Sequence, residues 1–402
     1  MNRFIFFIAS LITCLSLDAQ QRISTKDIND DVLFSPEFHS YNFGRRTNEA
    51  GEGVSWYRRF SILHMSDIHT SPGQLEEALR VAEGRMDAVV NCGDDANGCT
   101  TNDRNEVLKA LKLTGNTVRK HNSCVYVQAP GNHDVTGITK QEYFSRVCSL
   151  ISRYSADVVW GNPEQYKTYG YIDFVDGKHM GDFRIIMLDP FDYNDGEFPE
   201  PYDFMSAVFS QRQIDWFMDA LVDAASRNLH VITVMHYSFG DNTVFSKVSA
   251  KPDAAFHQDP FMIPDIIDAV QNKRVMKASY PDDCGKNDIN IERDFSDVAD
   301  LDYVVHLFGH IHSKNAYQCQ KTDGSRKYDI LMLGEASLAL RGTAVNEVAI
   351  TPGTINDIAF SALQIDVLEK AIYRVSYGAY IKYDGTPSRR TEKIPYRYEQ
   401  RP

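Results

Sequence analysis

Five short polar segments, each placed directly after an apolar run of strand length, constrain the fold of this chain more than any other feature. The segments are Ser66-Asp67-Ile68-His69, Gly93-Asp94, Gly131-Asn132-His133-Asp134, Met235-His236 and Gly309-His310-Ile311-His312. Helix-like patterns separate the first three apolar runs, and such alternation is typical of parallel βαβ units. Because the carboxyl ends of parallel strands meet at one edge of a sheet, we expect the polar side chains to gather there.

The apolar runs predict the order of the secondary structure. Strands are predicted at 60–65, 86–90 and 124–127, with helices between them around 75–82 and 107–118. Ser210 with Gln213 has the pattern of a capping box and predicts the start of a further helix. Later strands are predicted at 169–175, 183–188, 231–235, 303–307, 328–333, 360–366 and 371–377. The C-terminal part is therefore expected to be mostly β.

The length of the chain allows one decorated domain or two. Its 402 residues exceed the ~250–300 at which a single core usually stops growing. Residues 20–58 are polar and weakly patterned, and we expect an N-terminal extension that packs on a domain spanning 59–402. Between His236 and His310 we expect an insertion at about 239–300, where long loops often carry function.

The first residues have the pattern of an export signal. Asn2 and Arg3 give a short polar and positive start, an apolar stretch runs over 4–17, and a small-residue cleavage site follows near Ala19. We therefore expect a signal peptide at 1–19 and an exported, periplasmic or extracellular protein. A lipid anchor at Cys14 is the second alternative, although Thr13 before it fits a lipoprotein site poorly. No segment is expected to span a membrane.

Charge and cysteine content limit the classes of partner. The net charge of −13 makes the chain a poor candidate for binding nucleic acid through phosphate neutralisation. Beyond Cys14, six cysteines remain, an even number that permits disulfides in an exported chain without giving their connectivity. None lies in a CxxC zinc pattern, and Cys92 and Cys124 fit buried thiols equally well.

The polar segments supply the donors of a metal centre. Asp67 and His69 are two residues apart, as are His310 and His312, so each pair points the same way in an extended segment. Together the segments offer two carboxylates, one amide oxygen and four imidazoles. Mixed imidazole and oxygen donors suit Zn, Fe, Mn or Co and need no thiolate.

The order of these motifs (D-x-H, G-D, G-N-H-D, H, G-H-x-H) resembles the calcineurin-like metallophosphoesterase family. The resemblance runs from Asp67 to His312 and implies a four-layer α/β/β/α sandwich of two mixed β-sheets. It also implies two divalent or mixed-valence ions chosen from Mn, Fe, Zn and Co. The implied ligands are Asp67, His69 and His312 for one ion, Asn132, His236 and His310 for the other, and Asp94 as the bridge.

The resemblance further implies hydrolysis of a phosphate mono- or diester by in-line attack of a metal-bridging hydroxide. His133 would act as general acid on the leaving oxygen, and Asp134 would orient the His133 imidazole. Two divalent ions, the carboxylates of Asp67 and Asp94 and one hydroxide leave a net charge of +1, which favours an anionic substrate. We expect a phosphorylated small molecule or a phospholipid-type substrate, and the oligomeric state stays open.

Two alternatives to a hydrolase follow from the same residues. In the first, the chain would be a non-catalytic ligand-binding module on this scaffold. In the second, its metals would be purely structural. Every expected position of the motifs is filled, which favours catalysis, and structural metal sites are usually closed and rich in cysteine. His64 and His306 lie inside predicted strands, and we expect these two, as well as His257, to be structural.

Overall fold

A computed structural model describes residues 43–47, 53–69, 72–121, 124–149, 158–164, 167–175, 177, 179–193, 202–240, 255–311, 316–320, 325–335, 359–378 and 391–396. The expected signal peptide, Cys14, much of the 20–58 extension, the 241–254 part of the insertion and His312 lie outside these residues. In the described part of the chain, no helix is long and apolar enough to cross a membrane.

One mixed sheet has six strands in the order β19-β18-β17-β3-β4-β5. Its strands are β3 (Phe60–Met65), β4 (Ala88–Asn91), β5 (Val125–Gln128), β17 (Ala359–Asp366), β18 (Ala371–Gly378) and β19 (Thr391–Pro395). The first three are parallel to one another, and β17 joins them antiparallel to β3. The carboxyl ends of β3, β4 and β5 therefore lie at one edge of this sheet.

The second mixed sheet has seven strands in the order β15-β16-β14-β10-β8-β7-β6. They are β6 (Val159–Trp160), β7 (Gly170–Phe174), β8 (Asp182–Met187), β10 (Leu229–Val234), β14 (Asp302–Phe308), β15 (Ala316–Gln320) and β16 (Lys327–Gly334). Strands β8, β10, β14 and β16 are parallel, and β7 and β15 are antiparallel to their neighbours.

The two sheets pack face to face because their strands alternate between two apolar environments. On β3, Phe60 and Ile62 enter the core between the sheets, whereas Leu63 and Met65 face the opposite side. From the second sheet, Ile232 and other alternate residues fill the same central core. Both faces of each sheet are therefore buried, as strands covered on two sides require.

Helices cover the outer faces of both sheets. Helices α1 (Pro72–Ala82) and α2 (Arg104–Lys120) cover the first sheet, and α4 (Gln211–Ser226) and α5 (Met262–Gln271) cover the second. A short helix α3 (Lys140–Tyr143) continues into a π-helical turn at Phe144–Cys148. The expected four-layer α/β/β/α sandwich is confirmed.

The start of α4 differs in one detail from the capping box that its sequence predicts. The Ser210 hydroxyl accepts the Gln213 backbone N–H and caps the helix. The Gln213 side chain does not return to Ser210. It accepts the N–H of Asp189 and donates to the Asp189 carbonyl, so it fastens the helix to the end of β8 instead.

The insertion forms one helix and three strands in its described part. Strand β11 (Ala255–Phe256) pairs in parallel with β9 (Ser206–Ala207), and α5 follows. A hairpin of β12 (Val275–Tyr280) and β13 (Ile289–Asp294) then carries the predicted loop at 281–288. In the N-terminal extension, β1 (Phe43–Thr47) and β2 (Gly53–Arg58) form another hairpin, and the Tyr57 hydroxyl donates to buried Asp366 on β17.

Candidate metal centre

The side chains of five sequence motifs meet where the two sheets present their strand ends. Asp67, Asp94, Asn132, His236 and His310 each lie two to four residues after the last residue of β3, β4, β5, β10 and β14, respectively. Because these strands end on the same side of the sandwich, the loops after them form one continuous floor.

Four residues in these loops have left-handed backbone conformations. Their φ angles are 55° at Asp67, 41° at His69, 61° at Asp94 and 65° at His310. Such angles are strained for residues that carry a Cβ atom, and they persist only where the surroundings over-determine them. The strain turns each side chain out of the strand direction and toward the centre.

Glycines in the motifs allow the loops to approach each other. A Cβ atom on Gly131 would collide with the Asp94 backbone and carboxylate, and one on Gly93 would lie 2.5 Å from the Gly131 nitrogen. Gly93 also has a φ of 96°, a conformation that L side chains rarely adopt. The two motifs after β4 and β5 are therefore packed backbone to backbone.

The Asp94 carboxylate is the hub of the site. Its Oδ2 atom lies 3.2 Å from His236 Nε2, 3.9 Å from His133 Nε2 and 4.0 Å from His69 Nε2. Asp94 is fully buried, and its Oδ1 atom accepts the His133 backbone N–H at 2.9 Å. One carboxylate thus faces imidazoles from three different loops.

The Asn132 amide and the Asp67 carboxylate flank this hub. Asn132 Oδ1 lies 3.0 Å from His236 Nε2 and 3.1 Å from His310 Nδ1. On the other flank, Asp67 Oδ1 lies 3.9 Å from His69 Nε2. Six of the described residues therefore form two groups, Asn132 with His236 and His310 on one side and Asp67 with His69 on the other, with Asp94 between them.

Backbone carbonyls set the tautomers of three imidazoles. The Nδ1 atoms of His236, His69 and His133 lie 2.8, 3.1 and 2.8 Å from the carbonyls of Cys92, Ala96 and Gly98. A carbonyl can only accept, so each Nδ1 is assigned the hydrogen. Each Nε2 is then left with its lone pair directed at the centre, the usual arrangement of a metal-binding histidine.

This donor set fits divalent cations. The Asn132 amide oxygen and an Asp94 carboxylate oxygen both face His236 Nε2. The hydrogen of this ring is on Nδ1, on the side away from the two oxygens. Two oxygen lone pairs at 3.0 and 3.2 Å from this nitrogen repel its own lone pair unless a proton or a metal cation lies between them. Separations near 4 Å from His69 to the two carboxylates also suit an ion bound at roughly 2.0–2.2 Å from each donor.

The pKa values of the buried groups also indicate that the site favours positive charge. Burial disfavours the imidazolium of His236, but the Asp94 carboxylate outweighs burial and raises the pKa of His236 to about 9. Burial likewise opposes the Asp94 carboxylate, yet the His236 and His133 imidazoles hold the pKa of Asp94 well below its usual range. Without metal, protons on the imidazoles supply the positive charge beside Asp94. Bound metal cations would displace these protons.

Asp134 has a different role from the one expected. Its carboxylate accepts the backbone N–H groups of Asp94, Ala96 and Gly131 at 2.8–3.0 Å, and it lies fully buried beneath the loops. The expectation that Asp134 orients the His133 imidazole is wrong, because the Gly98 carbonyl holds that ring. Asp134 instead fastens the loop after β4 to the loop after β5.

An irregular loop forms a wall beside the centre, and the sequence does not predict it. We call residues Tyr202–Ser206 the wall loop, and its Phe204 ring lies 5.6 Å from the His133 ring between centroids. Met205 Sδ accepts the Asn132 side-chain N–H at 3.6 Å, and the Tyr237 hydroxyl donates to the Met205 carbonyl. An irregular loop without periodicity carries no signal that would have revealed these contacts.

The structure therefore brings together seven of the nine residues named from the motifs. They are Asp67, His69, Asp94, Asn132, His133, His236 and His310. Asp134 lies beneath them, and His312 is outside the described residues.

Comparisons with known proteins agree with this architecture. The family model for calcineurin-like phosphoesterases matches residues 60–314, which is more than half of the chain. A dimetal phosphatase from Danio rerio has a similar fold, with a TM-score of 0.51, 12% sequence identity, and alignment over 84% of this chain and 99% of that one.

Two further solved structures match with lower scores. PhoD has a TM-score of 0.43 at 12% identity, over 85% of this chain and 72% of that chain. GAP50, the anchor in the inner membrane complex of Plasmodium, has a TM-score of 0.40 at 8% identity, over 85% and 90%. No curated protein sequence matches at a significant level. On the match of its family model, the chain belongs to the calcineurin-like phosphoesterase family.

Proposed function

We propose that this chain is a metal-dependent phosphoric ester hydrolase with a dinuclear centre. The observation that carries the proposal is the convergence on Asp94 of imidazoles from three loops, with Asn132 and Asp67 on either side. A binding module would need no such set of opposed donors, since a phosphate can be held by backbone N–H groups and cations alone.

The ligand assignment follows the two groups of donors. Asn132, His236 and His310 would hold one ion, Asp67 and His69 together with His312 would hold the other, and Asp94 would contact both. The donors suit Zn, Fe, Mn or Co. When bound, such a pair supplies Lewis acidity toward the phosphoryl oxygens and a water-derived nucleophile at neutral pH.

His133 is placed to serve the leaving group. Its side chain is 22% exposed, whereas His236 is fully buried, so a substrate can reach the His133 ring. Burial opposes its protonation, but Asp94 overcomes this and raises the pKa of His133 to about 9. Cations at Asp94 would bring that pKa back down toward the range in which a general acid works best. His133 Nε2 would donate its proton to the departing oxygen.

The wall loop would contact the part of the substrate that leaves. Phe204 lies beside the His133 ring, and any group bonded to the oxygen that His133 protonates must pass near this aromatic side chain. An aromatic face favours a planar or apolar leaving group over a small alkoxide. We therefore propose aryl or similarly planar phosphoesters as better substrates than short alkyl esters.

Export is a further part of the proposal and depends on residues 1–19 alone. Expression of the full chain in a bacterial host, followed by N-terminal sequencing of the protein recovered outside the cytoplasm, tests it. A mature end near residue 20 supports cleavage after the apolar stretch. Retention of Met1 in a cytoplasmic product contradicts it.

The activity is tested with p-nitrophenyl phosphate and bis(p-nitrophenyl) phosphate. Metal-stripped protein is supplied with Mn²⁺, Zn²⁺, Fe²⁺ or Co²⁺ singly, beside Asp94→Asn and the surface control Asp215→Asn, which lies exposed on α4. Turnover that needs metal, is retained in Asp215→Asn and is lost in Asp94→Asn supports the proposal. The ratio of the two rates separates a monoesterase from a diesterase. Absence of turnover with every metal, despite binding of two ions, would favour the non-catalytic binding module.

A further inference from the structure

A second group of metal-type donors lies in the insertion, apart from the centre at Asp94. His257 Nδ1 lies 2.6 Å from Asp283 Oδ1 and 3.5 Å from Cys284 Sγ, and the sulfur lies 3.0 Å from the same carboxylate oxygen. An imidazole nitrogen, a carboxylate oxygen and a thiol sulfur thus form a triangle with sides of 2.6–3.5 Å.

Backbone contacts hold the three residues in place. The Asp283 N–H donates to the His257 carbonyl at 2.9 Å, and the His257 N–H donates to the Ala207 carbonyl at 3.3 Å. Beneath them, buried Asp282 accepts the backbone N–H of Cys284 at 3.1 Å and shapes the hairpin loop. The hairpin loop that carries Asp283 and Cys284 is therefore fastened to His257, and His257 is fastened to β9.

The arrangement does not fit a proton relay. In a Cys–His–carboxylate relay the thiol and the carboxylate bind opposite nitrogens of the imidazole. Here both face Nδ1, while Nε2 lies 3.0 Å from the Ser206 hydroxyl. A carboxylate and a thiol beside one ring nitrogen, with the other nitrogen held by a hydrogen bond, match the surroundings of a metal-binding histidine.

We propose that His257, Asp283 and Cys284 bind one divalent transition metal ion of the zinc and cobalt class. Such ions accept nitrogen, oxygen and sulfur donors at about 2.0–2.3 Å, which the small triangle permits after slight adjustment. Side-chain exposure of 13% at His257 and 65% at Asp283 leaves a path for the ion and a fourth position for water.

Binding has a defined proton balance. The Cys284 thiol donates its hydrogen to Asp283 at 3.0 Å, so the sulfur carries a proton while no cation is present. Coordination replaces that proton with the ion, and the proton leaves to solvent. No electron transfer is involved.

The proposed ion would also stabilise the wall loop. His257 contacts this loop at Ser206 through Nε2, and its ring packs edge-on against Tyr202 with 4.9 Å between centroids. An imidazole fixed by a metal on one side would hold Ser206 more firmly on the other. The same loop carries Phe204 and Met205 to the centre at Asp94.

Cobalt binding to the metal-free full chain tests the site without reference to activity. A thiolate bound to Co²⁺ gives an intense sulfur-to-cobalt charge-transfer absorption, which imidazole and oxygen donors do not produce. None of the ligands proposed for the centre at Asp94 is a cysteine, so the band reports the second site even if that centre proves non-catalytic. We expect the band to develop with Co²⁺ and to disappear when Zn²⁺ is added.

Three variants locate the signal. Cys284→Ser and His257→Gln are expected to lose the band and to bind one tightly held ion fewer per chain. Cys99→Ser is the matched control, because its thiol is also partly exposed and lies 3.6 Å from the Nδ1 atom of a histidine, His133. Absence of the band in the unmodified protein, its persistence in Cys284→Ser, or its loss in Cys99→Ser would each overturn the proposal.

Discussion

The backbone N–H of His310 donates to both carboxylate oxygens of Asp67, at 3.1 Å each. This contact joins the end of β14 in one sheet to the end of β3 in the other. It therefore fixes the distance between two loops that the sandwich alone would leave adjustable. The residue before His310 is a glycine, and the closeness of the loops depends on it.

Replacement of Gly309 by alanine is expected to disrupt this junction. A Cβ atom there would overlap the Ser66 hydroxyl and lie 2.6 Å from Asp67 Oδ2. Displacement of Asp67 by about 1 Å is enough to cost on the order of 10²-fold in activity. Metal-dependent turnover and metal content of Gly309→Ala measure the effect.

Gly84→Ala is the control for that variant. Gly84 has a φ of 66° and open space around its Cβ position, so alanine there introduces backbone strain without a collision. We expect it to cost stability by roughly 1 kcal/mol while turnover is preserved. Equal turnover of Gly309→Ala and the unmodified protein would contradict the importance of the junction.

His133→Gln is expected to act according to the leaving group. With phenyl phosphate, whose leaving oxygen needs a proton, the rate should fall by ~10²–10⁴-fold. With p-nitrophenyl phosphate the loss should be smaller, because p-nitrophenolate departs unprotonated. Cys99→Ser serves as control, since the Gly98 carbonyl and not this thiol makes the short contact with His133 Nδ1. The same loss on both esters would argue against the role of His133 as a general acid.

The floor of the site could be predicted from the sequence because each ligand-type residue follows an apolar strand. Parallel strands leave no freedom about which of their ends meet, so the positions of Asp67, Asp94, Asn132, His236 and His310 follow from the pattern of the runs. Their mutual distances depend on left-handed loop conformations that no apolar pattern encodes.

Contacts between irregular loops could not be predicted. His257 and Asp283 are separated by 26 positions, and their segments meet where the Asp283 backbone N–H donates to the His257 carbonyl. The role of Asp134 could not be predicted for a related reason. A buried carboxylate binds the nearest unsatisfied donors, and here these are three backbone N–H groups created by the turns.

Phe204→Ala is expected to reduce the preference for aryl over alkyl phosphoesters. Loss of the ring beside His133 removes an aromatic contact worth about 0.5–1.5 kcal/mol, or roughly a 2- to 10-fold change in rate. The ratio of kcat/KM for phenyl phosphate to that for methyl phosphate measures it. Tyr193→Phe is the control, because it removes a hydroxyl that donates to the wall-loop backbone and keeps Phe204. An unchanged ratio in Phe204→Ala would show that the leaving group does not reach this side chain.

Two lysine–carboxylate pairs are expected to differ sharply in their contribution to stability. Lys140 pairs with Asp189 where the side chains are 3% and 0% exposed, and Thr168 also donates to that carboxylate. Lys140→Met would leave a buried charge without its cation and cost roughly 3–5 kcal/mol. Lys277 pairs with Glu292 at 75% and 76% exposure, so Lys277→Met should cost about 0–1 kcal/mol. Urea unfolding of both variants tests the difference, which equal destabilisation would refute.

The stability of the fold is expected to depend on pH through a neutral histidine. His306 is fully buried between the Thr233 hydroxyl at 3.0 Å and the Tyr237 carbonyl at 2.9 Å, with its ring stacked on Phe239. Burial lowers the pKa of His306 to about 3, whereas in the unfolded chain its ordinary value is 6.5. Between these values the unfolded chain binds a proton that the folded chain does not.

The sign of the effect follows from that difference. The contribution of neutral His306 is fully present above pH 6.5 and is lost as the pH falls toward about 3. Over this window His306 contributes a slope of about 1.4 kcal/mol in the free energy of unfolding per pH unit. His306→Gln keeps a donor for the Tyr237 carbonyl but does not titrate, so its free energy of unfolding should fall less steeply between pH 6 and 4. Denaturant unfolding of both proteins in excess chelator removes the contribution of metal binding. Parallel pH profiles would mean that His306 is protonated in the folded protein at the acidic end of this range.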